Sequence, residues 1–318
     1  MMPNKEPLIV LTGPTASGKT SLSVKLAKQI NGQIISADSM QVYKYMDVGT
    51  AKITREEMDG VKHYLIDELE PSEEFNIAVF KQKSEKYIEE ILKEKHVPMI
   101  VGGTGFYIQS VLYDVKFEDN DSDTSYREEL AAYEKENGAF MLHEMLKKVD
   151  PESADKIHPN NVKRVIRALE YYKQTGHKIS EHNEEQSNNT SPYNFAYYVL
   201  DYKRELLYER IDKRVDLMFE NGLVDEVKKL KEMGLNKQNV SMQGIGYKEV
   251  LDYLDGEISL EEARYIIKRD TRHFAKRQMT WFKREKNVTW INCEEMDFSE
   301  ENMLDFIKTD LKNKNIIM

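Results

Sequence analysis

Cysteine is almost absent: Cys293 is the single one in 318 residues, so no internal disulfide can form, and a zinc finger would lack ligands. Histidine does not replace it, because the seven histidines stand at no metal-ligand spacing. Long apolar runs are missing too. The longest near the start, Leu8 to Leu11, falls far short of the ~20 residues a membrane span needs. The segment before it, Met1 to Pro7, has neither the charged region nor the apolar stretch of a signal peptide. Basic excess is absent as well: 46 basic side chains against 56 acidic give a net charge of −10. That balance disfavours wholesale coating of nucleic acid, although it says nothing of local patches. No solenoid-type repeat is found. These absences lead to the expectation of a soluble, cytoplasmic protein with no membrane contact; a monomer is expected, though composition does not bear on it. What is present, 40% hydrophobic and 32% charged residues, is an ordinary composition for packed cores. The length suggests about two domains.

The first hundred residues alternate strand and helix patterns. Leu8 to Leu11 reads as a short buried strand, Lys19 to Gln29 as a helix stopped by Asn31-Gly32, and Gln33 to Ala37 as a second strand. His63 to Ile66 reads as a third strand, Phe75 to Lys95 carries a helical period, and Val97 to Val101 is a further strand. Alternation of this kind predicts βαβ units and a parallel sheet, an α/β fold. After Tyr113 the texture changes: an acidic stretch, then helices from Tyr126 to Tyr172, then a polar, loop-like run from Asn183 to Pro192. Strand character returns at Phe195 to Leu200 and at Asn287 to Asn292, with long helices over Glu205 to Gly234 and Leu260 to Glu285. The expected organisation is a first core segment (1–114), a mainly helical insertion (115–194) and a core completion (195–318).

Gly13-Pro14-Thr15-Ala16-Ser17-Gly18-Lys19-Thr20 fits G-x-x-x-x-G-K-[ST] in full, and lies between an apolar strand and a helix, where that nucleotide- or ATP-binding pattern belongs. Backbone N–H groups and the helix N-terminus favour a phosphate there. Lys19 adds a point charge, and the Thr20 hydroxyl can ligate Mg²⁺. The loop therefore predicts a diphosphate or triphosphate ligand. An ATPase normally places a carboxylate at the end of another apolar strand. Val97 to Val101 instead runs into Gly102-Gly103-Thr104-Gly105, which tells against a motor-type ATPase. Asp38, after the second strand, is the nearest acidic candidate. Spacing leaves two readings of it open, a base or metal-shell group and a cap for the next turn. Gly102 to Gly105 can likewise be a simple tight turn.

Six segments together resemble the tRNA dimethylallyltransferase family. They are the phosphate loop, Ser36-Ala37-Asp38-Ser39-Met40-Gln41-Val42-Tyr43, Gly102 to Tyr107, Asn161 to Glu170, Gln243 to Glu249, and Thr271 to Phe282. The likeness runs from residue 8 to about residue 292. It implies a P-loop NTPase-like parallel sheet with a helical insertion, and transfer of a dimethylallyl group from dimethylallyl diphosphate to N6 of the adenosine 3′ of a tRNA anticodon. On that resemblance the phosphate loop holds the diphosphate, with Mg²⁺ on Thr20. Asp38 resembles the general base, Thr104 a contact to adenosine or diphosphate, and Arg214 a neutralising arginine. A helix salt bridge to Asp212 or Glu220 accounts for Arg214 equally well. Asp38, Ser39, Met40 and Gln41 would meet a flipped-out base, and Arg127 resembles a further tRNA contact. Some members carry a C-terminal Cys/His finger, which these residues do not contain.

Local charge fits an RNA partner. Between Arg264 and Lys286 stand nine basic residues and two acidic ones, Asp270 and Glu285. Arg264, Lys268, Arg272 and Lys276 recur every four residues and share a helix face, with Arg277 beside them. Ile267, Phe274 and Trp281 recur every seven and are expected to pack on the core. Lys163, Arg164 and Arg167 form a second basic cluster. A solvated face explains either run alone; together they suggest contact with a phosphate backbone, sensitive to salt, and the resemblance implies that its source is a tRNA anticodon stem-loop. Three other readings compete: a P-loop small-molecule kinase, a prenyltransferase acting on free adenine nucleotides, and a non-catalytic RNA-binding module.

Overall fold

The computed structural model describes residues 5–117 and 125–317. Its contacts divide the chain into two compact units, Met1–Leu112 with Pro192–Met318, and Tyr113–Ser191.

The first unit begins with β1 (Glu6–Thr12), α1 (Lys19–Ile30), β2 (Gly32–Ala37), α2 (Arg55–Met58), β3 (His63–Tyr64), α3 (Ile77–Lys93), β4 (Val97–Gly102) and α4 (Gly105–Leu112). The second unit is helical: α5 (Ser125–Asn137), α6 (Ala139–Val149), α7 (Pro151–Lys156), α8 (Val162–Thr175) and α9 (Ile179–Ser187). The chain then returns to the first unit with β5 (Tyr193–Asp201), α10 (Arg204–Glu220), α11 (Leu223–Glu232), α12 (Tyr247–Leu254), α13 (Leu260–Phe282), β6 (Val288–Asn292) and α14 (Glu300–Asn313).

The six strands form one sheet in the order β3-β2-β4-β1-β5-β6, and every pairing is parallel. The near-continuous apolar run of β1 follows from burial on both faces, as in parallel sheets generally. Register decides where the site lies. Thr12 pairs with Gly102 and Ala37 pairs with Gly102, so β1, β2 and β4 end level. Their following loops therefore open at one carboxyl edge, where open α/β sheets bind ligands. Leu22 and Leu26 of α1 join Met303, Ile307 and Leu311 of α14 in the core on one side of the sheet. The helical unit has a core of its own, built on Leu130, Leu142, Leu146, Val165 and Leu169.

Three local features differ from the expectation. The third strand ends at Tyr64, because Leu65 adopts φ 60°, a left-handed conformation that breaks extended pairing. The polar run after Asn183 is partly helical, since α9 reaches Ser187. Its first turn is anchored from a distance: Asp150 Oδ2 accepts from the Ser180 N–H at 3.0 Å and Oδ1 from its hydroxyl at 2.8 Å. Finally, α14 was not anticipated. Ser299 caps it, accepting from the Asn302 N–H. Among the described residues no helix is long and apolar enough to cross a membrane.

Candidate active site at the carboxyl edge of the sheet

The phosphate loop leaves β1 after Thr12, whose hydroxyl donates to the Gly102 carbonyl at 2.5 Å and so ties the ends of β1 and β4 together. Gly18, the residue before α1, has φ +84°, a conformation open to glycine at little steric cost. No side chain caps the helix at this point, leaving first-turn N–H groups for an anion. Ser17 Oγ is buried within the loop and has no hydrogen-bond partner among the described residues.

Thr15, Lys19, Thr20, Asp38, Gln41 and Arg214 line one pocket. The structure thus brings together residues from the loops after β1 and β2 and from α10. Lys19 is half-buried, and its ammonium donates to the Pro14 carbonyl at 3.3 Å. Burial, and then the neighbouring Arg214, lower its pKa to about 8, while Asp38 works in the opposite direction. Burial also lowers the Arg214 pKa, again opposed by Asp38. Arg214 donates to the Thr50 carbonyl at 3.3 Å, and no ion pair to Asp212 or Glu220 is found among the described residues. Gln41 Nε2 donates to the same carbonyl at 3.3 Å.

Of the two sequence readings of Asp38, the turn cap is the one seen in its hydrogen bonds. Oδ1 caps the following turn, accepting from the N–H groups of Met40 at 2.9 Å and Gln41 at 3.3 Å. Oδ2 makes no hydrogen bond among the described residues and belongs to a side chain facing the pocket. Ser39 follows in this loop, and Met40 packs against Gly244, where a Cβ would lie 2.7 Å from Met40 Cε. Thr104 stands at the start of α4, its N–H donating to the Ala37 carbonyl at 3.2 Å, next to the pocket-lining Gly103.

No cluster of three or more carboxylate, histidine or cysteine side chains suited to a metal occurs among the described residues. The available donors are the Thr20 hydroxyl and the unpaired Asp38 oxygen. Both are hard oxygen ligands, and Mg²⁺ commonly binds through one or two such groups together with substrate phosphates and retained waters. The donor set therefore fits Mg²⁺ carried with a diphosphate.

The expected RNA-contacting residues fall into two groups. On α13, Lys276 and Arg277 are exposed. The rest of the basic stripe is paired with α10: Lys268 with Asp216 at 2.7 Å and Arg272 with Asp212 at 2.5 Å. In the helical unit Arg127 forms a two-pronged pair with the buried Glu170, Nε to Oε1 and Nη2 to Oε2 both at 3.0 Å. Arg167 approaches the same carboxylate at 3.4 Å, and Lys163 and Arg164 are exposed. The seven-residue face of α13 divides: Ile267 is buried, Phe274 lines the pocket, and Trp281 packs beside Phe106 with ring centroids 5.9 Å apart.

Three supporting residues had no assigned role in the sequence. Arg210 Nε donates to the Ala16 carbonyl of the phosphate loop at 2.8 Å, and its guanidinium lies over the Tyr202 ring at 5.2 Å. Glu226 accepts from the N–H groups of Asp47, Val48 and Gly49 at 2.8, 2.7 and 3.0 Å and from the Tyr247 hydroxyl at 2.7 Å, which fixes the loop carrying Thr50. Gln278 bridges two loops of the site. Gln278 and Tyr247 fall inside segments that resemble the family, but only the fold reveals what they touch.

A family profile described as IPP transferase matches residues 41–285. A tRNA dimethylallyltransferase of Lachnoclostridium phytofermentans is 59% identical over 312 residues, spanning 98% of this chain and 99% of that protein. The crystal structure of the full-length tRNA isopentenylpyrophosphate transferase of Bacillus halodurans superposes with a TM-score of 0.73 at 47% identity, covering 98% of each chain. A eukaryotic dimethylallyltransferase acting on tRNA superposes with a TM-score of 0.80 at 31% identity, over 98% of this chain and 80% of that one.

Proposed function

This chain belongs to the IPP transferase family of enzymes, and from that premise we propose that it transfers a dimethylallyl group from dimethylallyl diphosphate to N6 of the adenosine 3′ of a tRNA anticodon. The observation that carries this reading is the grouping of Lys19, Arg214 and Asp38 around one pocket at the sheet edge. The first two suit a diphosphate, and the third suits a proton to be removed.

The adenosine amine attacks the allylic carbon, forming the N–C bond as the C–O bond to diphosphate breaks. The bonding pair leaves with the diphosphate, and the amine proton passes to Asp38 Oδ2. Lys19, Arg214 and the loop amides oppose the negative charge that grows on the leaving group, and such preorganised donors act most strongly where charge develops. When bound, Mg²⁺ would neutralise diphosphate oxygens, with the Thr20 hydroxyl as its protein ligand. An exocyclic adenine amine is a weak nucleophile, so a positioned base is the group the step needs. Thr104, on the adjoining loop, contacts the adenosine or a diphosphate oxygen. Asp38 to Gln41 receive the flipped base, and Arg127, Lys163, Arg164, Arg167, Lys276 and Arg277 contact the anticodon stem-loop, whereas Arg272 is held by Asp212 of α10. The enzyme acts as a cytoplasmic monomer.

The test is incubation with labelled dimethylallyl diphosphate, Mg²⁺ and unmodified tRNA, beside parallel reactions with AMP and with ATP. Label is expected in tRNA adenosine. Asp38→Asn keeps an oxygen for the Met40 and Gln41 amides but removes the base, and should lower the rate by about 10²–10⁴-fold with the fold intact by circular dichroism. Label in AMP alone would move the protein to free-nucleotide prenylation. ATP turnover without transfer would make it a kinase, and full activity in the Asp38→Asn protein would remove the base from the mechanism.

A further inference from the structure

Gln278 is 6% exposed and lines the same pocket as Phe274, one turn earlier on α13. Its amide group is used at both ends. Oε1 accepts from the Thr15 N–H at 2.9 Å, and Nε2 donates to the Gly103 carbonyl at 3.0 Å. The Thr15 N–H can only donate and the Gly103 carbonyl can only accept, so the two contacts fix which way the amide points. Among side chains, only Asn and Gln carry a donor and an acceptor on a carboxamide.

The backbone is shaped to admit this contact. A Cβ at residue 103 would lie 2.1 Å from Gln278 Nε2, so glycine is required for the amide to reach the carbonyl. The two loops that Gln278 joins carry different halves of the proposed chemistry. Thr15 belongs to the diphosphate cradle, and Gly103 immediately precedes Thr104. The strand ends before them are tied by the Thr12 hydroxyl on the Gly102 carbonyl, a bond that does not reach the Thr15 and Gly103 peptides.

We propose that Gln278 is a positioning residue for the transfer: its amide clasps the phosphate loop to the Gly103–Thr104 loop, so that leaving group and acceptor are held in line. This rests on the transferase reading above. Misplacing reacting groups by about 1 Å can cost about 10²-fold in rate.

The experiment compares wild type, Gln278→Ala, Gln278→Glu, Gly103→Ala and the double variant Gly103→Ala/Gln278→Ala in steady-state transfer to tRNA. Gln278→Ala should lower kcat by about 10²-fold while KM for each substrate moves less than about threefold. Gln278→Glu, which keeps an acceptor for Thr15 but opposes the Gly103 carbonyl with another, should fall as far. Gly103→Ala should lose activity because its methyl group displaces Gln278, and the double variant should lose no more than either single one, as expected for two residues acting in one contact. Unchanged kcat, a rise in KM equal to the fall in kcat, or losses that multiply in the double variant would overturn the proposal. Amide hydrogen exchange at Thr15 needs no turnover and should speed up in folded Gln278→Ala; unchanged exchange would overturn the clasp even with activity lost. Failure of the wild type to transfer label, with Thr15 exchange still dependent on Gln278, would instead sink the transferase reading and the positioning role with it, leaving the contact as architecture.

Discussion

Lys19 shows how this site trades charge against burial. A lysine enclosed beside an arginine is a poor home for a proton, and its pKa falls to about 8. A bound diphosphate reverses the balance, since opposite charge favours the protonated form. Diphosphate affinity, measured by calorimetry without Mg²⁺, should therefore weaken as pH rises through about 8 in the wild type. Binding should also take up protons on the alkaline side of that value. Lys19→Arg should bind less well at neutral pH, because a planar fork replaces a point charge, but without a matching decline near pH 8. An unchanged decline in Lys19→Arg would assign it to another group. The phosphate loop is also where the sequence was most legible, because its eight residues are contiguous and the conformation of Gly18 and the first turn of α1 are local matters. Gln278 was illegible for the opposite reason. Its partners lie 263 and 175 residues away, and nothing in its own neighbourhood distinguishes it from an ordinary helical glutamine.

At the level of elements, α13 separates what periodicity tells from what it leaves out. Its four-residue basic spacing correctly groups Arg264, Lys268 and Arg272 on one face, yet that face meets Asp212 and Asp216 of α10 rather than open solvent. The acidic partners sit 52 and 60 residues earlier, beyond the reach of a helix-period argument. The same limit hid α9, whose first turn relies on Asp150 from the junction of α6 and α7, while the parallel pairing of the strands was legible in the alternation of strands and helices. The pairing has a consequence for RNA. Each phosphate contact adds about 0.7 to 0.9 to the slope of log K against log salt. Lys276→Ala and Arg277→Ala should each reduce that slope for tRNA binding by about that amount in filter-binding titrations. Lys268→Ala should leave the slope unchanged, because its ammonium is committed to Asp216. Equal slopes for all three variants would mean that the exposed end of α13 does not touch the phosphate backbone.

The whole molecule consists of two units with separate apolar cores, and a substitution in one core should tell which steps depend on it. Leu146 is fully buried in the helical unit, packed with Leu130, Leu142, Val165 and Leu169. Truncating such a leucine to alanine typically costs about 2–5 kcal/mol, a large fraction of the 5–15 kcal/mol that stabilises a whole domain. None of the phosphate-loop, Asp38, Arg214 or Gln278 contacts belongs to that unit. Leu146→Ala should therefore produce an early calorimetric transition for the helical unit while the later transition, that of the sheet unit, holds its place. Diphosphate binding should be preserved below and above the early transition. Transfer to tRNA should fail above it, because Arg127, Lys163, Arg164 and Arg167 are displayed on the helices that have melted. A single transition displaced as a whole would mean that the two cores unfold together. Continued transfer to tRNA above the first transition would take those four basic residues out of the RNA contact and leave recognition to the sheet unit.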